Sequence, residues 1–196
     1  MYIVSRFNIL IALFLVGGTS AWASPRRPMS RALSSTSTIN KAAVYDHSSD
    51  SVKRADALFR DDSRPIILFD GVCNMCNGGV NFALDWDPEG NFRFAALQSS
   101  AGRALLRRAG RRPDDISSIV LVEKDRAYVK SNAVLRIAQK LSNPFPFLGL
   151  FGFVLPGFGR DFVYDQVANN RYNLFGKSNS CRVSDERFDS RFIADI

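Results

Sequence analysis

Histidine and cysteine are both scarce in this chain: one His and three Cys in 196 residues. His47, in a polar stretch, gives no histidine-based site. An odd, low number of cysteines rules out the disulfide framework of a small secreted domain. One Cys-x-x-Cys pair plus a stray Cys181 leaves a four-ligand zinc site short of ligands, reachable mainly through a second copy of the chain. Acid is missing from the first 45 residues, which hold Arg6, Arg26, Arg27, Arg31 and Lys41 before Asp46 appears. The formal net charge of +7 falls to +2 once those five are removed, so a nucleic-acid role loses its main support. Long apolar runs are missing too. The run Ile9–Val16 is far shorter than the roughly 20 residues a membrane span needs, so no stable span is expected after leader removal. No nicotinamide, flavin or glutathione site is visible. No cofactor is expected, and electrons must come from an outside thiol system.

What is present begins with a leader. Arg6, the apolar Ile9–Val16 and Ala21-Trp22-Ala23 read as a signal peptide over residues 1–23, with a small-x-small cleavage pattern. Residues 24–45, rich in Ser and Thr with Arg and no acid, have the composition of a transit peptide. This order resembles the two-part leader of proteins bound for plastids enclosed by extra membranes. Plastid localisation is the expectation, with secretion or an endomembrane lumen as the alternative and a disordered extension as the bland reading. Residues 46–64 mix charges with few apolar side chains and read as a linker, with a short helix near Ala55 to Arg60. The domain is expected over 65–196, with 46% hydrophobic residues and 16 Phe in the whole chain for its core.

The chemistry-bearing stretch is Pro65-Ile66-Ile67-Leu68-Phe69-Asp70-Gly71-Val72-Cys73-Asn74-Met75-Cys76. Its uninterrupted apolar run reads as a strand buried on both faces, and Asp-Gly ends it. Cys76, Val80, Ala83 and Leu84 then keep helical spacing. Cys73 therefore falls where a strand hands over to the first turn of a helix. Free N–H groups and the dipole there favour a thiolate, and a spacing of three lets the second sulfur close a small disulfide ring. Cys73, nearer the helix end and the solvent, is the expected nucleophile and Cys76 the resolving thiol. Asp70 is a candidate proton acceptor for the ionising thiol; its bland reading is an Asp-Gly turn.

Asp70, Cys73 and Cys76 match the signature of the DCC family of thiol-disulfide oxidoreductases. The resemblance runs from about Pro65 to Phe192. It takes in Phe92–Ser99, Val129-Lys130-Ser131-Asn132-Ala133, Asn170–Gly176 and Cys181-Arg182. It implies a thioredoxin-like fold and disulfide exchange with protein or small-molecule thiols and disulfides. It also raises an exchange role for Cys181, whose bland reading is an ordinary small residue. One departure stands out: thioredoxin-like proteins usually place a cis-proline before the third core strand. Here Ser117 and Ser118 hold that place and Pro113 comes too early, which leaves the mode of substrate binding open.

The remaining pattern gives a strand over Phe92–Leu97 and a helix over Ala101–Ala109 capped by Ser99 or Ser100. A hairpin follows over Ile119–Val122 and Ala127–Lys130, then a helix capped by Ser131 or Asn132. The order β-α-β-α-β-β-α makes the first two strands parallel and adds antiparallel ones. The fold class is α/β: a thioredoxin-like sandwich with a mixed four-stranded sheet, flanking helices and an extra helical C-terminal extension. Arg103, Arg107, Arg108, Arg111 and Arg112 read as a solvated face, or as a dock for an acidic partner. Residues 143–160, dense in Pro, Gly and Phe and free of charge, read as an apolar cap over the sheet or a lid near the cysteines. The alternative is a membrane- or protein-facing patch. Asp161–Asn169 reads as a short helix and Asn170–Gly176 as a turn-rich close in which Arg171 and Tyr172 are expected to pack back on the domain.

These features favour a protein-disulfide reductase cycling Cys73 and Cys76. Two other readings compete with it: a metal-binding or scaffold module using the same thiolates, and a structural protein with a buried pair. Oligomeric state is not legible.

Overall fold

The computed structural model describes residues 41–177, 186–193 and 196. The signal-peptide segment, the transit-like segment up to residue 40, and Cys181 lie outside the described residues. The elements in order are α1 (Lys41–Ala57), β1 (Ile66–Phe69), α2 (Asn74–Asp85), β2 (Arg93–Ala96), α3 (Ser100–Arg108), β3 (Val120–Val122), β4 (Ala127–Val129), α4 (Lys130–Ala138), α5 (Phe145–Gly152) and α6 (Gly157–Phe175). A 3-10 turn follows at Glu186–Arg191. The architecture is α/β, and the sheet runs β2-β1-β3-β4. β1 and β2 are parallel, while β3 is antiparallel to both β1 and β4. That is the strand arrangement of a thioredoxin-like fold.

The unbroken apolar run of β1 has a physical cause. Ile66 and Leu68 point into a core shared with Ala55, Phe59, Leu105 and Val120. Ile67 and Phe69 point to the other face, among Val80, Leu84, Phe94 and Ile137. Alternating side chains thus meet helices on both sides, and burying each aliphatic one contributes about 2 kcal/mol. α3 starts at Ser99, whose hydroxyl accepts the Gly102 N–H at 3.0 Å. At Gly102 a Cβ would lie 2.1 Å from the Ala96 carbonyl, so the absence of a side chain lets α3 close on β2.

Three stretches differ from expectation. The segment read as a linker is helical as far as Ala57 and is anchored to the domain through a few residues. Ala55 and Phe59 are buried, and the guanidinium of buried Arg93 donates to the carbonyls of Leu58, Asp62 and Arg64 at 2.7–2.9 Å. The apolar side chains there are few but sit at the contact with α3, which the mixed composition obscured. α4 begins at Lys130 without a side-chain cap, because the Ser131 hydroxyl donates instead to Asp161 of α6. The short helix and turn-rich close after Gly157 are one continuous α6 reaching Phe175.

The arginine cluster is largely spent within the molecule. Arg108 pairs with Asp56 at 2.6 Å and stacks on Phe59, Arg111 pairs with Asp115, and Arg112 pairs with Asp114. The default reading of residues 143–160 as a cap over the sheet does not hold. Only Phe145 turns inward, edge-on to Phe82 and Trp86 with centroids 5.0 and 4.8 Å away, while most of the large apolar side chains that follow face outward.

Candidate active site

β1 ends at Phe69 and the chain turns through Asp70-Gly71-Val72 into α2. Cys73 is the residue that caps α2, in extended backbone at φ −92° and ψ 119°; its Sγ accepts the Cys76 N–H at 3.4 Å. Its carbonyl accepts the Asn77 N–H at 2.9 Å, which starts the helical ladder. The two cysteines are thus one turn apart at the start of a helix, both as free thiols. Exposure reverses the expectation drawn from the sequence. Cys73 is fully buried (0% exposed), whereas Cys76 is partly exposed.

The cover over Cys73 comes from the chain after α6. Lys177 pairs with Cys73 as an isolated antiparallel bridge. Asn74 donates its side-chain amide to the Phe175 carbonyl at 3.0 Å and its backbone N–H to the Gly176 carbonyl at 3.5 Å. Gly176 has φ 74°, the left-handed conformation glycine adopts without strain, and this turns the chain back over Cys73.

Asp70 is 3% exposed. Its Oδ1 accepts from the Val72 N–H at 3.2 Å and Gln98 Nε2 at 2.7 Å; its Oδ2 accepts from Arg171 Nη2 at 3.1 Å and from the Tyr172 hydroxyl. Burial would raise its pKa, but the bonds from Tyr172, Gln98 and Arg171 outweigh it and hold the carboxyl below its usual value. Arg171, buried and 101 positions away in sequence from Asp70, also donates to the Ile116 carbonyl at 2.9 Å and the Ser117 carbonyl at 3.5 Å. The guanidinium therefore ties the end of β1 to the Ile116-Ser117 stretch that leads into β3.

The Cys76 thiol is pushed up to about 12. Burial is the largest cause, followed by its hydrogen bond to Cys73 and the charges of Cys73 and Asp70, with Arg171 opposing. Tyr164, whose hydroxyl accepts the Ile119 N–H at 2.9 Å, is also raised to about 12, mainly by burial. Among the described residues no cluster of three or more His, Cys, Asp or Glu could hold a metal ion.

The structure brings Asp70, Cys73 and Cys76 to one turn, as the sequence led us to expect. It adds Gln98, Arg171 and Tyr172, which the sequence did not single out as site residues. Arg171 and Tyr172 do pack back on the domain, as their stretch led us to expect; that they meet Gln98 at Asp70 was not legible in either the Phe92–Ser99 or the Asn170–Gly176 stretch.

The family model for DCC1-like thiol-disulfide oxidoreductases matches residues 67–177. A DCC family protein of Arabidopsis thaliana, named as chloroplastic, is 53% identical over 148 residues, covering 76% of this chain and 86% of that protein. The uncharacterized protein YuxK of Bacillus subtilis is 41% identical over 128 residues, covering 65% of this chain and 93% of its own length. No solved structure matches the chain. With the dithiol turn inside the matched region and the relatives covered over most of their length, this chain belongs to the DCC1-like thiol-disulfide oxidoreductase family, whose chemistry is redox exchange between thiols and disulfides.

Proposed function

We propose that the chain is a plastid protein-disulfide reductase whose working group is the Cys73–Cys76 dithiol, following a cleaved two-part leader over residues 1–45. The observation that carries this reading is the Sγ of Cys73 at the N-cap of α2, taking the Cys76 N–H at 3.4 Å. A helix N-terminus stabilises an anion, so negative charge on that sulfur meets the dipole and a donor together. Cys73 attacks one sulfur of a substrate disulfide as a thiolate. The Cys73–substrate S–S bond forms and the other substrate sulfur leaves as a thiolate that takes a proton. Cys76 then loses its proton and attacks Cys73, releasing the second substrate thiol and leaving a Cys73–Cys76 disulfide. The substrate gains two electrons, and an external dithiol restores the pair.

Two consequences follow for the residues around the pair. Because Cys73 is covered, attack requires the Phe175–Lys177 segment to lift from the helix start. Asp70 acts as a fixed negative charge rather than as an open proton acceptor, since all its lone-pair positions are taken. The chloroplastic name of the Arabidopsis relative supports the plastid assignment.

The test is insulin reduction driven by dithiothreitol. The wild-type chain is expected to accelerate it and Cys73→Ser to abolish the acceleration. Cys76→Ser is expected to accumulate mixed disulfides that identify the substrate. Purified protein carrying stoichiometric zinc, with no disulfide that dithiothreitol can open, would replace this reading with the metal-binding one.

A further inference from the structure

The stretch from Pro144 to Gly159 contains no polar side chain, and the fold turns most of it outward. α5 is fixed with one face against α4. A Cβ at Gly149 would lie 3.0 Å from the Leu135 carbonyl, and one at Gly152 2.3 Å from a Leu135 methyl. The glycines make that face smooth, so the large side chains occupy the other. Phe147 (62% exposed), Phe151 (71%), Val154 (81%) and Phe158 (83%) lead into Phe162 (65%) on α6. An exposed apolar surface this continuous is rare on a protein that works free in water.

The chemistry of the surface selects its occupant. Protein interfaces carry roughly one hydrogen bond per 100–200 Å², whereas the side chains from Pro144 to Gly159 offer no hydrogen-bonding group. Its exposed groups are hydrocarbon only. The charges that bound the stretch are both cations: Lys140, which lies 3.5 Å from Glu123, and Arg160, which donates to Asn132 at 3.1 Å and lies over the Phe153 ring. The neighbouring acids on α6 are engaged, Asp161 by the Ser131 hydroxyl and Asp165 by Lys130 at 2.8 Å. Apolar side chains bounded by cations complement an anionic bilayer surface, with hydrocarbon entering the acyl region and ammonium or guanidinium groups at the headgroups. No described helix is long and apolar enough to cross a membrane, so the contact is with one leaflet.

We infer that the α5–α6 hairpin docks this chain on an anionic lipid surface by inserting Phe147, Phe151, Val154 and Phe158 into one leaflet. The inference does not depend on the redox reading, but it gives that reading a location. α6 rises about 14 Å from Phe162 to Arg171, and Arg171 holds Asp70 beside the dithiol. Docking therefore brings the dithiol to thiols and disulfides held at a membrane surface.

A local probe tests this in the full chain without interference from the apolar run near the N-terminus. Phe158→Trp is mixed with vesicles of phosphatidylcholine containing phosphatidylglycerol, or of phosphatidylcholine alone, with or without brominated acyl chains. Emission from Trp22 and Trp86 is subtracted using the wild-type chain. The expected result is a blue shift of the added indole and bromine quenching of at least about twofold in the anionic vesicles. Adding Phe151→Asp should weaken partitioning at least about tenfold, because an ionised side chain must then enter the acyl region. Added Lys140→Gln and Arg160→Gln should remove the preference for phosphatidylglycerol. An indole that stays water-like with both vesicles overturns the inference, as does equal partitioning into neutral vesicles. A shift that grows with protein concentration in the absence of lipid overturns it in favour of a second copy of the chain. Thiols titrated in the same samples report the redox pair separately, so failure of one reading does not imply failure of the other.

Discussion

At the scale of single residues, Asp70 and Cys76 explain each other. A carboxylate offers about four acceptor positions, and Asp70 spends them on Val72, Gln98, Arg171 and Tyr172. A base saturated in this way keeps its charge and exerts it as a field. That field opposes ionisation of Cys76, which burial and Cys73 already hold up at about 12. The Cys76 thiol therefore keeps its proton through the physiological range and gives it up only when exchange demands it. Alkylation by iodoacetamide, mapped by mass spectrometry, should label Cys76 in the folded protein only as pH rises well past 9. Equal labelling of Cys76 at pH 7 would refute the assignment. Asp70→Asn should move Cys76 labelling to lower pH, because a raising charge is gone and the lowering charge of Arg171 remains. It should also cost about 3 kcal/mol in stability by leaving Arg171 buried without its counter-ion. An unshifted labelling profile would mean that Asp70 acts only on structure.

Elements carry the next set of consequences, and glycine separates two kinds. In α3, Gly102 lies against the Ala96 carbonyl, and neither backbone can move without parting α3 from β2. Gly102→Ala is expected to destabilise by about 3 kcal/mol. Gly78 in α2 has open space around its missing Cβ, so Gly78→Ala should stabilise by about 0.5–1 kcal/mol through helix propensity alone. Urea melts of the two variants check the pair. A neutral Gly102→Ala would show that the α3–β2 approach is not tight. The same logic explains why α6 was harder to see than α3. α3 shows Leu105 and Leu106 on one buried face with arginines opposite, and its cap Ser99 is visible. α6 places apolar side chains around most of its circumference and buries only Ala168 and Arg171. The 3.6-residue alternation that marks a helix half-buried in a core is therefore weak along it.

For the whole molecule, buried arginines replace part of what a larger apolar core would do. Arg93 holds three carbonyls of the 58–64 turn and contacts Asp62 at 3.3 Å. Arg191 brings the C-terminal turn onto the Asp87 carboxylate and the Phe92 carbonyl, and stacks on Phe94. Asp62 is lowered to about 2, first by the side-chain bond from Arg64 and further by its backbone N–H and the charge of Arg93, against burial. Asp70 is lowered as well. A carboxylate whose folded pKa lies below its unfolded value of 3.8 contributes stability that is complete above that value. The contribution is lost as pH falls towards the folded pKa. Thermal melts should therefore show Tm nearly level from pH 7 to 5 and falling between pH 4 and 2. Asp62→Asn should start lower and fall less steeply. A Tm already lost at pH 5 would show that other groups govern acid unfolding.

Local patterns determined the α/β class, the order of strands and helices along the chain through α4, the placement of Cys73 and Cys76 at a helix start and the hairpin of β3 and β4. Each depends on neighbours within a few positions: an apolar run closed by Asp-Gly, a three-residue cysteine spacing, alternating hydrophobicity. Tertiary structure alone decided the rest, because contacts between distant segments leave no local periodicity. It anchored the segment ahead of β1 in the core through Ala55 and Phe59, covered Cys73 with Lys177 and turned the large apolar side chains from Phe147 to Phe158 outward. It also closed Arg171 onto Asp70 across 101 positions, where a charge removed from water needs its counter-charge and the chain supplies one from wherever the fold brings it.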